Sequence, residues 1–454
     1  MLFTKKKDER HLSRKRSLFI RDTVLLTTLN FIGKTLGFSI PLFLALWFGG
    51  TAQTDSFYFS YSLVLFLANI LAQSLATVIV PYWVKLRAKN LTSRFTGNVF
   101  LVTTCLLTGL TLIIGLSWQL QDSVNLASID FFDLIKRLTS FTLELLPLLF
   151  LVVWSAIFEG VLQAEKHFFI TGLSQIVRSL FTLIIIWLFK NQLGLGSVVL
   201  AVSLGELARL ILLWLRLYQE KLFSLQRPWR LDKGLADFFF KAGLQALAFL
   251  AVGLNPLIDK AMAAGLGEGN ISALYYGEKL FSVPIALLTS GVMVTLLSYW
   301  SNSIVRVKRT DFIERIRQTA CKARLFSLGI MAIAFLLVEP VLSFIFQSAA
   351  LTKELITKVS VITLMYFTGF LPALLTQVYA QALIVFRRTG LILLVASSKV
   401  ILNIVFNLLL VQIWGVAGIA LATSVVSWLG CLMVGLILEW VIRKQPLPAV
   451  ELAL

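Results

Sequence analysis

The sequence predicts an all-α polytopic membrane protein with about twelve transmembrane helices, arranged as two six-helix lobes around a central cavity. Of its 454 residues, 58% are hydrophobic and only 14% are charged, whereas soluble domains carry about 25% charged residues. Apolar segments of about twenty residues, the length that crosses a bilayer, recur along the whole chain. A transmembrane β-barrel would instead show short segments of alternating polarity, and the sequence has no such pattern.

The apolar segments define the expected order of the helices. Spans are predicted at residues 22–47, 56–83, 98–118, 138–163, 168–190, 196–216, 236–263, 271–300, 323–347, 357–384, 389–411 and 416–441. The predicted domains are a basic N-terminal tail (1–21), a first lobe (22–216), a cytoplasmic linker (217–235), a second lobe (236–441) and a C-terminal tail (442–454).

Lysine and arginine are distributed unequally between the two sides of the predicted membrane. With the N-terminus inside, 30 of the 41 basic residues fall in inner segments. Five fall in outer loops, namely Lys136, Arg137, Lys190, Lys353 and Lys358. The positive-inside rule therefore predicts a multi-pass membrane protein with both termini in the cytoplasm. This distribution also explains most of the net charge of +18 without any nucleic-acid partner.

A weak internal repeat supports the division into two lobes. At an offset of 217 residues, Gly50 corresponds to Gly267 and Tyr58 to Tyr275. Because each half contains an even number of predicted helices, the two halves would have the same orientation in the membrane, as in transporters built from parallel repeats.

Charged residues inside the predicted spans are the main functional signal, because charge at membrane depth is costly and usually faces a partner or a water-filled cavity. The basic residues are Lys34, Arg178, Arg209, Lys260, Lys279 and Lys399. The acidic residues are Glu144, Glu159, Glu206, Asp259 and Glu278, with Asp55 at the outer mouth of the second helix. Either ion pairs between helices or snorkelling side chains would explain any single one of these charges.

Their positions nevertheless predict a cavity with surplus positive charge. Counted at 1.5 Å per residue, Lys34, Arg178 and Lys399 lie near mid-depth. Glu206 and Arg209 are three residues apart and can pair on one helix face. Such a cavity would suit an anionic phosphate or pyrophosphate group.

Residues 255–300 form the segment around which the second lobe is organised. The sequence predicts the end of one helix, a tight glycine-rich turn at Gly265, Gly267 and Gly269, and a second helix. The neighbours Asp259–Lys260 and Glu278–Lys279 point to different helix faces, so each residue is expected to have another partner. We expect this hairpin to line a polar cavity between the two halves of the molecule.

Nothing in the sequence indicates an enzyme or a bound cofactor. The fragment Gly33-Lys34-Thr35 resembles the end of a phosphate-binding loop, but Thr28 stands where that motif requires glycine. Two histidines and three widely spaced cysteines do not indicate a metal site or a disulfide. A secondary transporter, driven by an ion gradient or the membrane potential, is the remaining class.

Three stretches together resemble the MurJ/MviN family of lipid II flippases, whose superfamily also contains polysaccharide exporters and multidrug antiporters. They are GKTLGFSIPLFLALWFGGTAQTDSFYFSYSLV (33–64), DKAMAAGLGEGNISALYYGEKLFSVPIALL (259–288) and AQALIVFRRTGLILLVASSKVILNIVFNLLLVQIWGVAGIALATSVVSWL (380–429). The resemblance implies a twelve-helix core that alternates between inward-facing and outward-facing states. It also implies a substrate consisting of a sugar linked to undecaprenyl pyrophosphate, which is moved across the plasma membrane.

The resemblance also assigns roles to particular residues. Matched by position, the family's basic residue in the first helix falls on Lys34, and its acidic-basic pair in the hairpin falls on Glu278 and Lys279. Lys34 and Lys279 would hold the pyrophosphate, and the remaining expected substrate cations are Arg178, Arg209 and Lys399. The expected gating residues or charge partners are Asp55, Glu278, Asp259, Lys260 and Glu206.

The sequence departs from the family pattern in ways that leave the headgroup open. Ile40 and Ala68 stand where family members carry further basic residues, and lysine replaces arginine at the matched sites. Lysine keeps the charge but loses the bidentate geometry. Members often have two more C-terminal helices, whereas this sequence ends after the twelfth predicted one. Lipid II or a related cell-envelope oligosaccharide are both compatible substrates.

Two other functions remain open from the sequence. A cation-coupled multidrug exporter would rely on acidic residues at mid-depth, and the basic residues in the spans outnumber the acidic ones only slightly. A non-transporting scaffold of an envelope-synthesis complex would use the basic tail to bind a protein partner or anionic membrane lipids. A coupling ion is the further expected partner of a transporter.

Overall fold

The structure of the protein is a computed structural model that describes residues 28–29, 31–87, 92–123, 136–225, 233–288, 296, 300, 309–346, 353–386 and 388–444. All regular secondary structure in these residues is helical, and they contain no strand. This confirms the predicted all-α class. The tail at residues 1–21 and most of the tail at residues 442–454 lie outside the described residues.

The long helices follow one another with short connections. They are α1 (Phe31–Phe48), α2 (Ala52–Arg87), α3 (Thr92–Ser123), α4 (Thr142–Ala164), α5 (Phe168–Leu193), α6 (Gly196–Gln219), α7 (Lys233–Ala264), α8 (Asn270–Leu288), α9 (Arg309–Phe346), α10 (Lys353–Phe367), α11 (Phe370–Val385), α12 (Thr389–Trp414) and α13 (Val416–Lys444).

The helices coincide with the predicted spans. Ten helical segments of the described residues are long and apolar enough to cross a membrane, and α10 and α11 together form one of them. Helices α7 and α8 occupy the two remaining predicted spans. The end of the eighth predicted span, beyond Leu288, falls largely outside the described residues.

Two of the predicted spans differ from the observed helices. The predicted span 357–384 is two helices, because the chain turns at Thr368 and Gly369 before α11 begins. Pro372 then lies in the first turn of α11, where its missing N–H group costs no helical hydrogen bond. Helix α9 starts at Arg309, well before the predicted residue 323. Its first turns are amphipathic rather than apolar, so a search for hydrophobic length does not find them.

The chain forms two compact units. Unit 1 consists of Met1–Ile40, Leu67–Ser128 and Leu143–Ala246, and unit 2 of Pro41–Phe66, Ile129–Thr142 and Leu247–Leu454. Helices α1, α2 and α7 therefore each contribute residues to both units. The lobes predicted at 22–216 and 236–441 follow a different division of the chain and stay a prediction.

Unit 1 is built around α4. Its residues Leu145, Leu149, Val153, Ile157 and Val161 are buried and recur every fourth position, which places them along one stripe of the helix. In the same unit, α5 and α6 form a tight hairpin.

Unit 2 contains an aromatic and aliphatic core. Phe312 packs edge to face with both Trp300 and Phe386, with ring centroids 6.1 Å and 5.9 Å apart. Val434 and Leu438 of α13 complete this core. Many large apolar side chains on the helix exteriors are exposed, such as Trp187 of α5 and Ile401 of α12, as expected for surfaces that face lipid.

Helices α5 and α12, the fifth span of each predicted half, match in length and ending. Each has 26 residues and ends before a glycine, Gly194 with φ 53° and ψ −131° and Gly415 with φ 56° and ψ −135°. This backbone conformation is accessible essentially only to glycine. The match is independent structural support for an internal repeat.

Replacing Gly277 of α8 with alanine is expected to destabilise unit 2 by about 1–3 kcal/mol through overpacking. The new Cβ atom would lie 2.6 Å from Cγ2 of Ile362 on α10. Thermal unfolding of the purified protein in detergent would measure the effect. The matched control is Gly329→Ala on α9, where a Cβ meets nothing within 4 Å. Equal effects of the two substitutions would contradict this account.

Candidate functional site

The hairpin of α7 and α8 positions the charged residues of unit 2. Helix α7 ends at Ala264, and the chain turns through Gly267 and Gly269, whose φ values are 103° and 79°. The Asn270 side chain donates a hydrogen bond of 2.7 Å to the carbonyl of Leu266 and fixes the turn. The predicted glycine-rich turn between two helices is confirmed.

This hairpin brings two lysines to one carboxylate. Lys260 Nζ lies 2.8 Å from Glu278 Oε2, and Lys279 Nζ lies 4.0 Å from Glu278 Oε1. Only 3% of the Lys260 side chain is exposed, compared with 31% of the Lys279 side chain. The expectation of another partner is confirmed for Glu278, which pairs with Lys260, and is wrong for Lys279, because its flexible chain reaches back to its neighbour. The three residues together carry one surplus positive charge, and Lys279 is its accessible end.

An aromatic ring supports both lysines. The amines of Lys260 and Lys279 lie 5.5 Å and 4.9 Å from the ring centroid of Tyr275, within the range of cation–π attraction. Tyr275 in turn stacks on Tyr58 of α2, with centroids 4.1 Å apart. The ring stabilises positive charge without neutralising it, so it keeps the cluster cationic.

Asp55 binds the start of α8 within unit 2. Its carboxylate accepts hydrogen bonds from the backbone N–H groups of Gly269 and Ser272, both at 2.7 Å, and from the Ser272 hydroxyl at 2.5 Å. The side chain is buried, and a carboxylate is favoured where a helix N-terminus presents free N–H groups. Asp55 therefore joins the first turn of α2 to the first turn of α8.

Asp259 does not pair with its neighbour Lys260. Its two carboxylate oxygens accept hydrogen bonds from Asn407 Nδ2 of α12 at 2.7 Å and from Thr423 Oγ1 of α13 at 3.1 Å. Asn407 also donates to Asn403 at 3.2 Å. The different partners predicted for Asp259 and Lys260 are confirmed, and the polar cluster ties α7 to α12 and α13.

In unit 1, a buried ion network joins α4, α5 and α6. Arg209 contacts both Glu206, at 2.7 Å, and Glu159, whose carboxylate accepts a second hydrogen bond from the same guanidinium. Arg178 lies 3.6 Å from the other oxygen of Glu206, with 40% of its side chain exposed. The predicted Glu206–Arg209 pair is confirmed. The charge of Arg209 is compensated by its two carboxylates, whereas Arg178 presents part of its guanidinium at the surface of the unit.

Lys34 follows Gly33, a residue of α1 that contacts α5. A Cβ on Gly33 would meet Gln175 at 2.9 Å, and the Ser179 hydroxyl donates a hydrogen bond of 3.4 Å to the Gly33 carbonyl. The Lys34 side chain is exposed, and 40% of the Arg178 side chain is exposed. Unit 1 therefore presents two accessible cations on neighbouring helices.

Lys399 of α12 occupies the position in the second half that Arg178 occupies in the first. Each is sixteen residues before the glycine that ends its helix. The counterpart of Glu206, twelve residues after that glycine, is Ser427, and the counterpart of Arg209 is Gly430. A Cβ on Gly430 would lie 2.9 Å from Lys399 Cδ, so glycine leaves room for the lysine chain.

Sequence reasoning left several residues of these clusters out of the site. Glu159 completes the coordination of Arg209, and Tyr275, Asn407 and Thr423 contact the charges of the hairpin. Asn403 and Asn407, one helical turn apart within a mostly apolar helix, were a usable signal. The structure brings Arg178, Glu206 and Arg209 together in unit 1 and joins Asp55 to the hairpin in unit 2.

Sequence comparison identifies relatives over most of the chain. A family model described as lipid II flippase MurJ matches residues 44–453. The chain is 24% identical over 435 residues to a probable lipid II flippase MurJ of Vibrio cholerae, which covers 90% of this chain and 81% of that protein. It is 25% identical over 423 residues to a protein of the same description from Thermotoga maritima, covering 89% of this chain and 82% of that protein.

Solved structures share the fold. A structure of lipid II flippase MurJ in an inward closed conformation matches with a TM-score of 0.76 and 17% identity, covering 93% of this chain and 88% of that one. An inward-facing multidrug resistance MATE family transporter matches with the same TM-score of 0.76 and 12% identity, covering 93% of this chain and 98% of that one.

The fold alone therefore does not separate a flippase from a multidrug transporter. The family model does separate them, because it matches residues 44–453, which include α2 to α13 and the hairpin with its two lysines. The chain belongs to the lipid II flippase MurJ family.

Proposed function

We propose that the protein moves lipid II, a glycan carried on a lipid pyrophosphate, across the bacterial plasma membrane by alternating access. It does so as a secondary transporter without catalytic chemistry, and both termini lie in the cytoplasm. The observation that carries the proposal is the hairpin cluster, in which one carboxylate serves two lysines and Lys279 remains accessible. A pyrophosphate requires such uncompensated positive charge.

The roles of the charged residues follow from their surroundings. Lys279 and Lys34, the residues at the positions matched to the family, hold the pyrophosphate, and Arg178 and Lys399 add to the positive field. Arg209 shapes the field indirectly, because Glu159 and Glu206 already bind its guanidinium. Asp55 and Asp259 hold helices together rather than contact the headgroup.

Substituting Lys279 or Lys34 with alanine is expected to weaken lipid II binding by about tenfold or more, because a charge-assisted contact contributes about 1.5–3 kcal/mol. Native mass spectrometry of the purified protein would measure binding with lipid II, an undecaprenyl-pyrophosphate oligosaccharide and a plain anionic phospholipid offered together. Selective binding of one pyrophosphate lipid would identify the headgroup.

Lys322→Ala is the matched control, because Lys322 is an exposed lysine on α9 outside the clusters. It should leave binding unchanged. If the three lipids bind equally and neither Lys34→Ala nor Lys279→Ala reduces binding, the cationic site does not bind pyrophosphate. A cation-coupled exporter or a scaffold would then be the better explanation.

A further inference from the structure

A groove of about 620 Å³ lies at the start of α10 in unit 2, against the corner between α12 and α13. Its volume is within the range of about 300–1,000 Å³ that small-molecule sites have. None of its lining residues belongs to the charged clusters described above. The groove combines basic side chains with apolar ones.

The rim is formed by the first turns of α10. Lys353 and Lys358 line the groove with one acidic residue, Glu354, so the rim has one surplus positive charge. In the described part of the chain, neither lysine forms an ion pair with a carboxylate. The predicted topology gives the outer side only five basic residues, and two of them line this one groove.

Polarity changes along α10 in the direction of the helix axis. Lys353, Thr357 and Val361 follow one another every fourth residue, and Lys358 and Ile362 form the adjacent row. Residues at this spacing lie on one helix face. Over eight residues, about 12 Å, the wall of the groove passes from amine through hydroxyl to aliphatic side chains.

The opposite wall is apolar and includes an aromatic side chain at the end of a helix. Val416 and Ala417 begin α13, and Trp414 ends α12 with 52% of its surface exposed. The glycine turn at Gly415 separates them. Tryptophan at the end of a membrane helix is typical of the level of the lipid headgroups.

We propose that this groove binds an anionic glycerophospholipid of the outer leaflet. The phosphate lies between Lys353 and Lys358, the glycerol lies beside Trp414, and an acyl chain lies on Val361 and the start of α13. The sequence of charge, hydroxyl and aliphatic groups along α10 matches the order of groups in one phospholipid molecule. The site is separate from the substrate site and is a lipid cofactor site of unit 2.

Native mass spectrometry of the full-length protein would test the proposal with phosphatidylglycerol and phosphatidylcholine of identical acyl chains. We expect phosphatidylglycerol to bind in preference. The double substitution Lys353→Gln/Lys358→Gln should weaken that binding by about 25-fold, since each lysine near a membrane surface contributes a factor of roughly five. Lys322→Gln/Lys444→Gln, which removes two exposed lysines elsewhere in unit 2, should leave it unchanged.

Two further arms separate the possible sources of the anionic group. Val361→Trp keeps both lysines but fills the apolar floor, so it should weaken phosphatidylglycerol binding if the acyl chain is held there. Glycerol 3-phosphate, which has no acyl chain, should not compete. Effective competition by glycerol 3-phosphate would overturn the lipid assignment, and unchanged phosphatidylglycerol binding in the double glutamine variant would overturn the site itself.

The test also distinguishes this site from the substrate site. Lipid II binding should survive Lys353→Gln/Lys358→Gln, and preferential phosphatidylglycerol binding should survive Lys279→Ala. If the double glutamine substitution weakened lipid II binding as much as it weakened phosphatidylglycerol binding, the groove would be part of the substrate path. The proposal of a separate lipid site would then be wrong.

Discussion

Substituting glutamine for Glu278 is expected to destabilise the protein by about 3–5 kcal/mol, the usual effect of removing one partner of a buried ion pair. Lys260 is almost completely buried and lies 2.8 Å from this carboxylate. Without Glu278, its charge would remain in a low-dielectric environment, where the described residues in direct contact with the amine are the Pro256 carbonyl, at 3.2 Å, and the Tyr275 ring. Thermal unfolding in detergent should show a midpoint several degrees lower.

A second substitution separates loss of charge balance from loss of shape. The double variant Lys260→Met/Glu278→Gln removes both charges, and most of the lost stability should return, because a buried pair replaced by neutral groups is often nearly neutral in free energy. Glu439→Gln is the control, since Glu439 forms an exposed i,i+4 pair with Arg443 at 3.7 Å. Such a pair contributes about 0.3–0.5 kcal/mol. A double variant as unstable as Glu278→Gln would contradict the electrostatic explanation.

Asp55→Asn is expected to cost about 3 kcal/mol and to loosen the start of α8. The Asp55 carboxylate accepts three hydrogen bonds from Gly269 and Ser272, and hydrogen bonds to a charged group contribute about 1.5–3 kcal/mol each. An asparagine side chain keeps one acceptor oxygen but directs an NH₂ donor towards an N–H donor. Hydrogen–deuterium exchange of peptides that cover residues 265–275 should become faster.

The control for Asp55 is another acidic residue in the first turn of a helix. Asp311 lies in the first turn of α9 but is exposed. Asp311→Asn should cost only about 0.3–1 kcal/mol through the helix dipole, with no change in exchange at residues 265–275. If the exchange of this turn were unaffected in Asp55→Asn, the three hydrogen bonds would not be what holds α8 in place.

The helices could be predicted from the sequence because each apolar span is a local property. The spans at 168–190 and 196–216 agree with α5 and α6 to within a few residues, since glycine turns and length define them. The break at Gly369 was harder to predict. Gly369 and Pro372 are compatible with a kink, and only the packing of Ser424 against Gly369, where a Cβ would lie 2.7 Å from Ser424 Oγ, shows why the chain turns there.

The partners of the charges depended on tertiary structure to different degrees. Glu206 and Arg209 lie one helical turn apart, so their pair follows from spacing alone. The pair of Lys260 and Glu278 depends on how α7 and α8 are aligned with each other. The glycine-rich turn between the two helices does not determine that alignment from the sequence alone. Asp55 contacts residues more than 210 positions away, and no local pattern predicts that.

The internal repeat contains one signal for the Asp55 contact. At the offset of 217 residues, Asp55 corresponds to Ser272 and Tyr58 to Tyr275. Within unit 2, each of these residues contacts its own counterpart. Contacts between counterparts arise where a two-fold axis relates two copies of a structure. A two-fold axis inferred from the repeat in the sequence would therefore have predicted that Asp55 contacts the start of α8.

The matched ends of α5 and α12 also bear on the evolutionary origin of the chain. Two helices of 26 residues that end at glycines of the same conformation are expected if one gene segment was duplicated and fused. After that event, the cation sixteen residues before the glycine was kept in both copies, as Arg178 and as Lys399. Its acidic neighbour persisted as Glu206 in one copy, whereas Ser427 stands in the other. The two copies thus differ at the counterparts of both Glu206 and Arg209, and because serine carries no charge, an ion pair equivalent to Arg178–Glu206 cannot form with Ser427.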